Sequence, residues 1–199
     1  MNSAGSDVLR GRESEAGRRE QVLDAALLVF ARYGYRKASM DDVARAAEIS
    51  RPGLYFYFAS KQDLFRAAVT RALDGDVAAA ERVLADTGRP LGDRLIEAFD
   101  HWTGRYVGPM ASDVAIVIES NPELLGPVAA EYPARFARLV TDALTAAAPA
   151  DRADVARDVA QTLLSTANGI KHQVSTREEF LARMTTGVGL LLLALKHVP

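Results

Sequence analysis

The chain contains no cysteine, which excludes disulfides, thiolate metal sites, cysteine nucleophiles and thiol redox sensing together. Histidine is scarce, and His101, His172 and His197 are scattered. No metal-ligand spacing, nucleophile with its base, or phosphate-binding loop accompanies them, so no catalytic residue, metal or cofactor is expected and an enzyme is disfavoured. Long apolar runs are missing as well. The longest late one, Gly187 to Leu195, is half of what a bilayer span needs, and the polar opening Met1 to Asp7 has no apolar core like that of a secretory signal. The expectation is a soluble, cytoplasmic protein with no membrane partner. Strand-like alternation, internal repeats and low-complexity tracts are also wanting, which leaves an all-α reading.

What is present is apolar residues at 49% over 199 positions, enough for one sizeable helical core and a small headpiece. The formal charge of −2 is unevenly spread. Residues 16–66 hold nine Lys/Arg against six Asp/Glu, and residues 67–199 hold thirteen against seventeen. Positive charge is concentrated near the N-terminus, where a polyanion would be met.

The most informative stretch is residues 39–58. Met40, Val43, Ala44 and Ala47 recur at helical spacing behind Ser39, a good N-cap with Asp42 three residues on. Ser50 caps a second helix, Pro52 fits its first turn, and Leu54 and Phe58, four apart, mark the face that turns inward. Arg51, Gly53, Tyr55, Phe56 and Tyr57 are left to point elsewhere. Two short helices, a tight turn and an exposed aromatic and basic edge make a helix-turn-helix DNA reader. Before it, Val22, Ala25, Ala26, Val29, Phe30 and Tyr33 form a stripe ending at Gly34; after it, Ser60 caps a helix through Leu64, Phe65 and Leu73.

Together these positions, from Arg18 and Arg19 through Tyr33-Gly34-Tyr35, Ser39, Asp42-Val43-Ala44, Ser50 to Phe58, Ser60-Lys61 and Leu64-Phe65, resemble the N-terminal domain of the tetracycline-repressor (TetR) family. Glu48 is a departure, since members usually carry Gly in that turn. The resemblance implies DNA contacts at or near Arg18, Ser39, Met40, Ser50, Arg51, Pro52, Gly53, Tyr55, Phe56, Tyr57 and Lys61. Lys61 at a helix start is also badly placed beside a positive dipole end, a placement that a phosphate would relieve.

The expected organisation is a flexible arm over 1–15 carrying Arg10 and Arg12, a helix-turn-helix domain over 16–76, and an effector-binding and dimerisation domain over 77–199. About nine helices are predicted in all, the later ones over 61–86, 90–107, 112–120, 122–147, 151–173 and 175–197. Breaks are signalled at Gly88-Arg-Pro90, Gly108-Pro109, Asn121-Pro122 with Asn as cap, Pro149-Ala-Asp151 and a Ser175 to Glu178 capping box, with a kink or split near Pro127 or Pro133. His101, Trp102, Arg105, Tyr106, Phe136, Asn168 and His172 are candidate lining for an effector pocket. The final helix, with Leu190 to Leu193 apolar all round, calls for a partner helix. The expected dimer interface is Val159, Leu163, Thr166, Met184, Val188, Leu191, Leu192 and Leu195. The resulting expectation is a homodimeric transcriptional regulator, a repressor released from a double-stranded palindromic operator by a small-molecule effector.

Overall fold

A computed structural model describes residues 3–108 and 112–197. Among them are helices α1 (Ser3–Lys37), α2 (Met40–Ala46), α3 (Arg51–Tyr57), α4 (Lys61–Ala85), α5 (Leu91–Trp102), α6 (Ser112–Glu119), α7 (Pro122–Leu125), α8 (Val128–Ala147), α9 (Ala153–Lys171) and α10 (Arg177–His197). Single 3₁₀ turns at Gly104–Tyr106 and Ala150–Arg152 complete the described residues, which contain no strand. None of their helices is long and apolar enough to cross a membrane. Pro109, named above as a break, lies outside the described residues, as do the side chains of Arg10, Arg12 and His197. The helix α1 opens at Ser3 and so takes in much of the segment expected as an arm.

The chain forms two compact units, residues 1–71 with 113–126 and residues 72–112 with 127–199. In the first, Val22, Ala26, Val29 and Phe30 of α1 meet Val43, Ala44, Leu54, Leu64 and Phe65, all buried. Phe30 and Phe65 stand edge to face at 5.2 Å, a geometry that suits the ring quadrupole. Tyr33, expected on this stripe, is 47% exposed. Just after it, Gly34, with φ of 73° and ψ of 156°, breaks α1 and resets the helical phase, so that Tyr35 beyond the break meets Phe65 at 5.0 Å. Segment 113–126 clusters here, with Arg66 Nε donating to the Leu124 carbonyl at 3.2 Å.

In the second unit, long helices bury Leu95, Phe99, Phe136, Val140, Leu144, Leu163, Phe180, Met184 and Val188 in one core. One expected break is present and two expected details differ. Residues 122–147 divide at Gly126, φ 60°, and Pro127, while Pro133 sits inside α8. Asn121 does not cap α7 with its side chain; its amide donates to the Val117 carbonyl at 2.7 Å. The box before α10 is shifted by one residue, with the Glu179 N–H donating to Thr176 Oγ1 at 3.2 Å and the Ser175 N–H to Glu179 Oε2 at 2.9 Å.

Candidate nucleic-acid interface

Helices α2 and α3 are only seven residues each, too short to persist on propensity alone, so polar ends hold them. Ser39 and Asp42 form a reciprocal box: the Asp42 N–H donates to Ser39 Oγ at 3.2 Å and the Ser39 N–H to Asp42 Oδ2 at 3.0 Å. The Ser39 hydroxyl and N–H hold the Asp42 carboxyl below the ordinary aspartate value. At α3 the Gly53 N–H donates to Ser50 Oγ at 3.1 Å. A Cβ at Gly53 would stand 3.1 Å from that same oxygen. The cap therefore gives Gly53 a local cause, independent of close approach to DNA.

Between the helices Glu48 adopts φ 53°, the left-handed region that Gly enters more easily. The turn is closed by Ile49 N–H to the Ala44 carbonyl at 3.0 Å, and Arg18 Nη2 donates to the Glu48 carbonyl at 3.2 Å. The departure noted at this position in the sequence thus coincides with a left-handed backbone that the surrounding bonds hold in place.

Leu54 and Phe58 turn into the headpiece core, at 0% and 4% exposed. The rest of α3 faces outward: Arg51, Pro52 and Tyr55 are exposed, Tyr57 is half-buried, and Phe56 is 75% exposed. Arg51 Nη1 pairs with Asp41 Oδ2 at 3.1 Å, and its guanidinium lies over the Tyr55 ring at 5.8 Å. Phe56 stands edge to face with Tyr57 at 5.3 Å. Ser39, Ser50 and Arg18 lie on the surface, whereas Met40 is buried and contributes its side chain to the core.

Lys61 departs most from expectation. Its ammonium is turned inward, donating to the carbonyls of Tyr35 at 3.0 Å, Ala38 at 3.1 Å and Arg36 at 3.5 Å, and it lies 4.5 Å from the Tyr35 ring centroid. The cation that looked misplaced at the start of α4 serves carbonyls at the end of α1 and just past it.

This headpiece, with its paired short helices and outward α3 edge, is what the family comparison matches. Residues 22–68 match the family described as "Bacterial regulatory proteins, tetR family". The headpiece is thus similar to that of TetR-family transcriptional regulators. The chain is 38% identical over 84 residues to the HTH-type transcriptional activator FasR of Mycolicibacterium smegmatis, a match covering 42% of this chain and 38% of FasR. It is 28% identical over 172 residues to the HTH-type nicotine-responsive transcriptional repressor HdnoR of Paenarthrobacter nicotinovorans, covering 81% of this chain and 86% of HdnoR. The fold is shared with a TetR-like transcriptional regulator from Rhodococcus sp. RHA1, at 23% identity and a TM-score of 0.61, over 88% of this chain and 96% of that one.

In the second unit, the seven candidate pocket residues divide into groups. Trp102 stacks on Phe136, with ring centroids 4.9 Å apart. Arg105 and Tyr106 both converge on Asp76, which is fully buried. Burial raises both the Asp76 carboxyl and the Tyr106 hydroxyl. His101 lies 3.9 Å from Glu97, while Asn168 on α9 and His172 just past its end are exposed and join neither group.

Asp76 was missed in the sequence, although it occupies a stripe position on α4 between Val69 and Ala80, where a carboxylate is conspicuous. Its neighbour Asp74 accepts from the Tyr132 hydroxyl at 2.5 Å, and that phenol is pushed up to about 12, chiefly by burial. Asp100, 9% exposed, is held by Arg177, whose Nε lies 2.7 Å from Oδ1.

Five of the eight expected interface residues also need correction. Val159, Leu163, Met184, Val188 and Leu195 are buried in the chain's own core, with Leu191 and Leu192 packed against it and Thr166 half-buried. An apolar girth allowed either placement, and α10 lays this face on α5 and α9. Leu190 and Leu193 remain outside, at 64% and 53% exposed.

Proposed function

We propose that the chain is a sequence-specific DNA-binding transcriptional regulator, a repressor that a small molecule releases from a palindromic operator. The observation that carries this reading is the outward edge of α3. Arg51, Tyr55 and Phe56 are exposed on a helix held from behind by Leu54 and Phe58. Arg51 has the donors for a guanine edge, and the tyrosines suit phosphate oxygens or thymine methyls. Ser39, Ser50, Pro52 and Tyr57 flank that edge. Met40 supports it from inside, and Lys61 acts by fixing the end of α1 and the start of α4.

Operator palindromy requires two copies, with headpieces meeting adjacent major grooves about 34–36 Å apart. The dimer face is the side of α10 that the core leaves open, where Ala182, Thr186, Gly189, Leu190 and Leu193 are exposed at helical spacing. Replacing Leu190 and Leu193 together by Glu should shift the protein to monomer in sedimentation, with Trp102 fluorescence unfolding as in the wild type. A wild-type monomer at micromolar concentration contradicts the dimer.

The effector site is assigned to the second unit, around Trp102 with Phe136 and around Arg105 with Tyr106. The nicotine-responsive repressor HdnoR, similar along most of both chains, supports ligand-relieved repression. A ligand with greater affinity for the DNA-free form weakens operator binding by the same coupling factor, commonly about 1–3 kcal/mol. The test is selection of bound duplexes from a random pool, followed by a screen for small molecules that release the recovered sequence. An enriched palindrome and a releasing ligand are expected; a pool that stays random contradicts the reading.

A further inference from the structure

The guanidinium of Arg51 has one neighbour on another helix and one on its own. Asp41, in the first turn of α2, accepts from Nη1 at 3.1 Å, and the Tyr55 ring, one turn along α3, lies beneath it at 5.8 Å. Both contacts are at the surface, with side-chain exposures of 60% for Arg51 and 51% for Asp41. Asp42, the adjacent acid, is differently engaged, closing the Ser39 cap and pairing with Arg45 at 3.3 Å. Of the two consecutive aspartates, then, one holds the helix end and the other reaches across to the neighbouring helix.

An exposed ion pair adds little to stability, about 0–1 kcal/mol, so stability alone gives Asp41 little purpose. It also places a negative charge beside an edge that has to meet phosphates, at some cost to affinity. Orientation supplies a purpose. A free arginine has many rotamers, and fixing them on binding weakens every contact it makes. One bond to Asp41 uses one of five N–H donors, and a face-on aromatic ring limits rotation of the plane, so a two-bond fork stays open for a base edge. We propose that Asp41 is a specificity-determining positioning residue, which together with Tyr55 presets the Arg51 guanidinium to read one guanine in each half-site. This rests on the DNA-reading function proposed above.

The full-length protein tests it through base-by-base affinity profiles, taken on the sequence recovered from a random duplex pool. Asp41→Asn should flatten preference by about fivefold or more at one position per half-site, the same position that Arg51→Ala flattens. Affinity for unrelated duplex should stay level or rise, because a negative charge has left the interface. Asp41→Asn should do nothing further in an Arg51→Ala background, and Tyr55→Leu should flatten that same position. A uniform loss at all positions would reduce Asp41 to a folding role. Flattening at a different position would make it a base reader itself, and an unchanged profile would leave its pairing idle; each overturns the proposal while leaving DNA recognition intact. If the wild type enriches no sequence, the underlying reading falls and the proposal falls with it.

Discussion

The two units are held by different means. In the headpiece, two seven-residue helices depend on polar points: the Ser39–Asp42 box, the Ser50 cap, Arg18 on the Glu48 carbonyl, and Lys61 on three carbonyls at the end of α1 and just past it. In the second unit, long helices interlock through Phe99, Phe136, Leu163, Phe180 and Met184, and charge is taken inside as Asp76 and Asp100. The lesson is that a reading head needs its polar groups near the surface with short helices fixed in direction, while the larger unit gains its order from volume. Loss of a single donor should therefore act on the first unit, and loss of a ring or of a proton on the second.

The largest effect should come from Phe136→Ala, which removes the partner of both Phe99 and Trp102. A loss of about 3–5 kcal/mol is expected from the cavity and lost transfer energy. Trp102, the only tryptophan, reports on this unit alone, so denaturant unfolding followed by its fluorescence should show the loss directly. A shift below about 1 kcal/mol would mean that packing does not dominate there.

Lys61→Met should follow, at about 1.5–3 kcal/mol for hydrogen bonds from a charged group, felt in the headpiece with the Trp102 transition in place. Operator affinity should fall at every salt concentration alike. A phosphate contact would instead reduce the slope of log affinity against log salt by about 0.9, and that result would restore the expectation drawn from the sequence.

Proton linkage should separate the units by sign. Burial raises the folded-state value of Asp76, so its contribution is complete below the unfolded value near 3.8 and is lost as pH rises through the raised one. Hydrogen bonds from Ser39 lower that of Asp42, so its contribution is present above that unfolded value and is lost as pH falls through the lowered one. Between about pH 4 and neutrality, the Trp102-reported stability of wild type should therefore decline relative to Asp76→Asn. A parallel course for the two proteins would show that Asp76 is not under strain from desolvation.

Glu48→Gly should have the smallest effect, a gain of about 0.5–1 kcal/mol in headpiece stability as the left-handed turn is relieved. A loss would mean that the Glu side chain supports the turn in a way its backbone does not reveal.

Legibility followed the same division. Ser39, Ser50, Leu54 and Phe58 could be placed from the sequence because caps and four-residue spacing are local, and the outward edge followed by elimination. Lys61 could not, since its acceptors lie about 25 residues earlier and depend on the break at Gly34. In the second unit the helices were legible but not their faces. Met184, Val188 and Leu195 could serve either a core or a partner, and only packing against α5 and α9 decides it. Asn168 and His172 joined no pocket because polarity alone carries no information about direction.

The central claim is that the α3 edge reads DNA and that the second unit does not. It is tested most directly by measuring the affinity of wild type, Arg51→Ala and Arg105→Ala for the selected operator at one moderate salt concentration. Arg51→Ala should lose about 1–3 kcal/mol of base discrimination, while Arg105→Ala, lacking only one of the two partners of Asp76, should bind as the wild type does. Wild-type discrimination by Arg51→Ala would contradict the account.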